Sequence, residues 1–346
     1  MPRPARRTLI LARVLGLLAV TIAAAGLTSP AAASGPSRGT QPLLATSSGR
    51  AAVHQQTAGT SAARDRLLSY WTSSRMRAAV PFQRLLDRTK LRRSGRTVAR
   101  GTPTLVPPTV AGVLDSVPLA LPELGAAWTG GGAVTRTAGR VFFTFQGSPA
   151  SCSGDAVTSA NKSVVLAAGH CVRYQGSWHT NWVFVPGYHA GSRPHGTWPA
   201  TATLTTPQWQ ATEDLDYDVG AAVVARVGGR RLTDVVGGQG VAFNQARRQT
   251  MYSFGYPAET PYDGESLTYC SGRTIDDPLG SNDQGLACDM NGGSSGGPWF
   301  LSFDEGTGAG VQDSVNSFSY IFLPAVMFGP YFGTQVQALY KAAAAR

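Results

Sequence analysis

Hydrophobic and polar positions change their pattern three times along the chain. Residues 14–27 form a nearly unbroken apolar run behind Arg3, Arg6 and Arg7, and the small residues Ala31-Ala32-Ala33 follow. A positive front, an apolar stretch and small residues in that order predict a signal peptide over 1–33. The run is short for a membrane-spanning helix, which needs about 20 residues. Residues 34–60 are rich in Ser, Thr, Gly, Ala and Gln without periodicity, which predicts a flexible stretch. Between 61 and 92, Leu67, Leu68 and Trp71, then Phe82, Leu85 and Leu86, recur at helical spacing among arginines. Pro81 interrupts that stripe, so two short helices are expected. Residues 101–127 hold Pro103, Pro107, Pro108, Pro118 and Pro122 and read as an extended linker.

From residue 128 onward the apolar runs are short, β-branched or aromatic, and separated by turn residues. They fall at 141–145, 164–167, 182–185, 219–224, 252–254, 299–303 and 315–322. The fold class they predict is all-β. One helix is expected at the end, over 335–345. Thr334 and Gln337 have capping-box spacing there, and Val336, Leu339 and Tyr340 share a face.

Composition supports this division. Charged residues are only 14% of the chain, with 41 Gly and 22 Pro, a balance that favours turns and short strands. The net charge of +10 is unevenly placed: residues 1–33 carry +4, residues 34–127 carry +9, and residues 128–346 carry −3. A basic helical segment could bind nucleic acid. Its place between an export signal and a separate cysteine-containing domain favours a pro-segment, drawn electrostatically to the acidic domain that it covers. The expected organisation is a signal peptide over 1–33, a basic pro-segment and linker over 34–127, and a working domain over 128–346.

Export makes disulfides the default for Cys152, Cys171, Cys270 and Cys288. Three pairings are open. The local one, Cys152–Cys171 with Cys270–Cys288, closes two short loops, each worth about 3 kcal/mol. No Cys-x-x-Cys spacing suggests a metal, and none is expected.

Three motifs in the last domain carry chemistry. The run 163–167 ends in Ala168-Gly169-His170-Cys171, a strand emptying into a tight turn that presents one imidazole. Asp214, Asp216 and Asp218 lead into the apolar run at 219–224. A carboxylate at such a strand mouth can hold a histidine tautomer. The third motif, Gly292-Gly293-Ser294-Ser295-Gly296-Gly297-Pro298, lets the backbone turn sharply around a serine and aim its N–H groups at one spot, as an oxyanion hole requires. Each motif has an ordinary structural explanation by itself. Together they supply a nucleophile, a base and an orienting acid. All five histidines precede Ser295, which excludes the usual α/β-hydrolase order, in which histidine follows serine.

With these residues in place, 128–346 resembles the chymotrypsin/trypsin-like serine endopeptidases. Ala167-Ala168-Gly169-His170-Cys171 is similar to the family's histidine motif, and Gly293-Ser294-Ser295-Gly296-Gly297-Pro298 to its serine motif. Asp218-Val219-Gly220-Ala221-Ala222 is similar to its aspartate strand, and that register selects Asp218 over Asp216. Phe184-Val185-Pro186-Gly187-Tyr188, Asp216-Tyr217-Asp218 and Phe254-Gly255-Tyr256-Pro257 resemble secreted bacterial glutamyl-endopeptidase-like enzymes in particular.

The resemblance implies two six-stranded antiparallel β-barrels and a short C-terminal helix. It implies a His170/Asp218/Ser295 triad, an oxyanion hole from the backbone of Gly293 and Ser295, and peptide hydrolysis through an acyl-enzyme without any cofactor. Asp289, Asn316, Ser317 and Ser319 fall where the family builds its specificity pocket, and they leave the choice among basic, acidic and other substrates open. Ser294 stands where trypsins carry the aspartate that pairs with the newly freed N-terminus, so that activation device is not expected. Protein or peptide substrates, a secreted monomer, no nucleic acid and no stable membrane insertion complete the expectation. A silent binding homologue and an esterase using the same triad are the competing functions.

Overall fold

The structure is a computed structural model that describes residues 50–346, apart from Arg88, Arg96 and 111–121. The expected signal peptide lies outside the described residues, as does most of the expected flexible stretch.

Six strands close into a barrel: Ala138–Phe145, Ser148–Val157, Val164–Ala167, Gly220–Val224, Trp198–Thr205 and Thr180–Pro186. Each pairs antiparallel with the next, and the last returns to the first. The closed barrel buries Val141, Phe143, Val165, Phe184, Leu204 and Ala222 in one hydrophobic cluster. The runs read from the sequence at 141–145, 164–167, 182–185 and 219–224 fall in this barrel, and those at 252–254, 299–303 and 315–322 fall in the second half.

The second half differs from a single six-stranded barrel. Its strands divide into a seven-stranded sheet and a four-stranded sheet. The larger sheet gains its two edges from residues ahead of 128: Thr104–Val106 pairs with Gly240–Phe243, and Glu123–Ala127 pairs with Thr268–Arg273. Its core is aromatic, with Tyr252, Phe254, Phe300 and Phe303 packed against Trp128 and Tyr269. Disulfides join Cys152 to Cys171 and Cys270 to Cys288, the local pairing.

Residues 50–106 are woven into this frame. Ala52–Gln55 adds a strand beside Trp198–Thr205, and Val80-Pro81 pairs parallel with Ala150-Ser151. Two helices form, Ser61–Tyr70 and Ser73–Ala78, but the break falls at Trp71-Thr72 rather than at Pro81. Thr60 and Thr72 supply the reason, since each accepts a hydrogen bond from the backbone N–H three residues on and starts its own helix. Leu67, Trp71 and Met76 then bury against Phe142, Val183, Val185 and Tyr188 on the outside of the barrel. The C-terminal helix, Thr334–Ala344, buries Val336, Leu339 and Tyr340 as expected. Its capping box is absent. Gly333 takes the N-cap position, while Thr334 Oγ1 donates to the carbonyl of Ala99 and Gln337 Nε2 donates to Thr104 Oγ1. The 99–104 segment thus engages the groups that would have capped the helix.

Candidate active site

His170 owes its position to strand pairing. Ala167, at the end of one barrel strand, pairs with Gly220, at the start of its neighbour. The two strand mouths therefore lie together, and the residues just outside them, His170 and Asp218, meet. His170 sits in a short 3-10 turn, Gly169–Cys171, tied back to the adjoining strand through the Cys171–Cys152 disulfide. Gly169 has no room for a side chain, because a Cβ would come within 2.8 Å of Trp209 and 2.9 Å of Asp218 Oδ1.

Asp218 is fully buried and accepts three hydrogen bonds. His170 Nδ1 donates at 2.7 Å, the His170 backbone N–H at 2.8 Å and Ser317 Oγ at 2.5 Å. Three donors offset the cost of burying a carboxylate. Because Nδ1 carries the proton, the lone pair stands at Nε2, which is buried without a hydrogen-bond partner among the described residues. Asp216 turns away and accepts from the backbone N–H and Nδ2 of Asn282, with burial pushing its carboxyl up.

Ser295 lies in the loop between Gln284–Ala287 and Pro298–Asp304. Its carbonyl accepts from Ser153 N–H at 2.7 Å, which fixes the loop against the barrel. Gly293 adopts φ +100°, and a Cβ there would meet the carbonyl of Tyr256 at 2.7 Å. Glycine takes this left-handed conformation without steric cost. Ser294 is buried and donates its hydroxyl to the carbonyl of Asn291 at 2.7 Å, so no carboxylate waits for a new N-terminus at this position.

A residue outside the three motifs joins the two halves of the site. Gln83, in the 3-10 turn Phe82–Leu85, donates from Nε2 to Ser295 Oγ at 2.5 Å. Its Oε1 accepts from Gly293 N–H at 3.1 Å. Its neighbour Phe82 is fully buried, with its ring nearly parallel to that of His170 at 6.0 Å. Arg84 pairs with Glu259 at 3.0 Å.

A second histidine supports the first. His179 is buried with its ring stacked on Phe143 at 4.3 Å, and its Nε2 donates to the carbonyl of His170 at 2.8 Å. Burial pushes its pKa down from 6.5 to about 3, so the ring stays neutral. Neither Gln83 nor His179 has a sequence signal of this role. Each acts through a contact with a residue distant in the chain or on a neighbouring turn.

The four residues expected at the specificity pocket separate. Asp289 is exposed and accepts from the hydroxyl of Tyr262, and it lines neither of the two cavities beside Gln83. Asn316 is buried behind the serine loop, where its Nδ2 donates to the carbonyls of Phe254 and Ser294. Ser317 serves Asp218. Ser319 lines the cavities on both sides of Gln83, and its Oγ is buried without a partner among the described residues.

Comparison with known proteins bears on this arrangement. The protease Anisep from Arthrobacter nicotinovorans superposes with a TM-score of 0.60 at 43% identity, over 64% of this chain and 100% of that one. The chain belongs to the chymotrypsin-like serine proteases. Serine protease AL20, a thermostable enzyme from an extremophilic microorganism, superposes at 42% identity and a TM-score of 0.59, over 62% of this chain and 99% of that one. A Glu endopeptidase shares the fold at 19% identity and a TM-score of 0.51, over 65% of this chain and 98% of its own. No protein-family model matches the chain. An extracellular metalloprotease of Bacillus subtilis (strain 168) is 35% identical over 71 residues, 20% of this chain and only 22% of that protein. Among the described residues, one group of three potential ligands converges, Cys152, His170 and Cys171, and both sulfurs are joined in a disulfide. Without thiolates, that set does not fit zinc.

Proposed function

We propose that the protease hydrolyses protein or peptide substrates through Ser295, His170 and Asp218, that it is secreted, and that residues 34–127 keep it latent until they are released. The observation that carries this reading is the buried bond between His170 Nδ1 and Asp218 Oδ2, 2.7 Å long, which leaves Nε2 as the free base. With the site open, Nε2 takes the Ser295 proton as Oγ bonds to the carbonyl carbon of the substrate. The carbonyl oxygen gains the negative charge and is held by the N–H groups of Gly293 and Ser295. One such donor is worth about 3–4 kcal/mol in serine protease chemistry. His170 returns its proton to the leaving amine as the C–N bond breaks, and water repeats the sequence to release the acid. Asp218 orients the ring and stabilises the imidazolium, and Ser317 fixes Asp218.

Latency rests on Gln83. Its side-chain amide takes both groups that a substrate would use, the Ser295 hydroxyl and the Gly293 N–H. Secretion is supported by the two disulfides, which persist in oxidising compartments, and by the export pattern of residues 1–33. The test is Ser295→Ala. Loss of peptide hydrolysis with an unchanged melting temperature supports the triad; retained hydrolysis rejects it. Parallel assays on peptide and ester substrates separate a peptidase from an esterase.

A further inference from the structure

The reacting bond of a substrate has a template in the latent chain. The carboxamide of Gln83 places its oxygen on Gly293 N–H and its nitrogen on Ser295 Oγ. A substrate carbonyl occupying that place has its own side chain two bonds from the carbon under attack. That side chain must enter whatever space adjoins Gln83 and the serine loop. A cavity of about 220 Å³ lies there, with Gln83, Gly292, Met290, Met327, Pro324 and Ile321 among its lining residues. An apolar cavity of about 150 Å³ already admits benzene, so this one has room for a large side chain.

The charges around it decide what enters. The carboxylate of Asp289, which could have selected Arg or Lys, is exposed and engaged by Tyr262. No His, Lys or Arg lines the cavity, so an acidic side chain finds no counter-charge. The bordering ionised group is Glu259. Its side chain is 30% exposed and it pairs with Arg84, itself 57% exposed. Such exposed pairs are worth about 0–1 kcal/mol, whereas desolvating an ion costs several. Asn291 gives its Nδ2 to the carbonyls of Glu259 and Thr260. The unpartnered Ser319 Oγ is one neutral polar atom in the wall. The second cavity beside Gln83 differs, since His170 and Arg93 are among its lining residues. It measures about 230 Å³ and brings Leu86 and Leu91 of the basic segment against Leu215 and Phe318.

We propose that the cavity walled by Met290, Pro324 and Met327 is the primary specificity pocket, and that it selects substrates with a large uncharged apolar residue, Leu, Met or Phe, on the acyl side of the cleaved bond. The proposal rests on Ser295 as nucleophile, and its test keeps the two claims apart.

The secreted, processed protease is used to digest a denatured protein mixture, and the cut sites are mapped by mass spectrometry. In parallel, an uncharged fluorophosphonate is used to label Ser295. Labelling together with at least tenfold enrichment of Leu, Met and Phe over Arg, Lys, Asp and Glu before the cut supports the proposal. Labelling with cuts dominated by Arg and Lys, or by Asp and Glu, overturns the proposal while the nucleophile stands. Absence of labelling in a digesting enzyme overturns both. A variant gives an independent reading. Ser319→Asp places a carboxylate on the wall and is expected to raise cleavage after Arg and Lys at least tenfold relative to Leu. An unchanged ratio in a folded variant means that the cavity does not receive the side chain.

Discussion

Gln83 and Ser295 are joined by a hydrogen bond of 2.5 Å, and the same glutamine side chain accepts from Gly293 N–H at 3.1 Å. One amide thereby occupies the nucleophile and an oxyanion donor together, while His170 Nε2 is left without a partner among the described residues. On the proposed reading, the unprocessed chain fills the substrate positions of its own site with this amide. Replacing Gln83 by Ala removes both bonds and leaves Phe82 to hold the segment. The unprocessed Gln83→Ala chain is expected to react with a fluorophosphonate at least tenfold faster than the unprocessed wild type. Equal rates would show that another part of the segment blocks the site.

Cleavage of the linker is not expected to free the enzyme at once. The basic segment adds Ala52–Gln55 and Thr104–Val106 to sheet edges and buries Trp71, Met76 and Phe82 completely. Fully burying such side chains is worth about 1.5–3 kcal/mol each. A chain nicked between 106 and 128 should run on gel filtration with both pieces together and stay inactive until the segment is degraded. Immediate full activity on nicking would contradict this.

Asp218 holds His170 in the tautomer that leaves Nε2 free, and Ser317 holds Asp218. Asp218→Asn reverses the donor at Nδ1 and is expected to lower kcat by about 10⁴. Ser317→Ala removes one of three donors to the carboxylate, which acts through Asp218 rather than on substrate. A fall of roughly tenfold in kcat with KM unchanged is expected, from a loss of about 1.4 kcal/mol. A change confined to KM would instead place Ser317 in substrate binding.

His179 links stability to pH. Its pKa falls from 6.5 to about 3 on folding, so the unfolded chain binds a proton between those values that the folded chain does not. Its contribution is therefore fully present above pH 6.5 and is lost as pH falls towards 3, by up to about 1.4 kcal/mol per pH unit. Asp155, Asp283 and Asp313 act in the opposite sense. Burial raises their pKa values well above 3.8, so they weaken the fold as pH rises above that value. Urea unfolding of His179→Gln between pH 3 and 6.5 should show a smaller gain in stability with rising pH than the wild type shows. Parallel curves would mean that His179 is protonated in the folded protein.

The local geometry of the candidate site was partly legible in the sequence, because its motifs are local. His170 follows its strand directly, Asp218 precedes its own, and Ser295 sits among the glycines that shape its loop. The closed barrel was legible too, through short β-branched runs. What escaped reading depends on distant partners. Ala52–Gln55 lies in a polar, unpatterned stretch and owes its order to pairing with Trp198–Thr205. Asp289 occupies the sequence position of a pocket selector, but a tyrosine 27 residues away holds it outside. Gln83 is one polar residue on an apolar turn, and only the fold brings it to Ser295, 212 residues later. The capping box failed for the same reason, since residues 99 and 104 took its two side chains.

Whether Ser295 is the nucleophile activated by His170 is read directly by peptide-level mass spectrometry of the processed enzyme after treatment with a fluorophosphonate. One adduct is expected, on Ser295, formed in step with loss of peptide hydrolysis and absent from Ser295→Ala and His170→Ala. A fully hydrolytic enzyme that carries no adduct on Ser295, or carries its inactivating adduct on another residue, would contradict it.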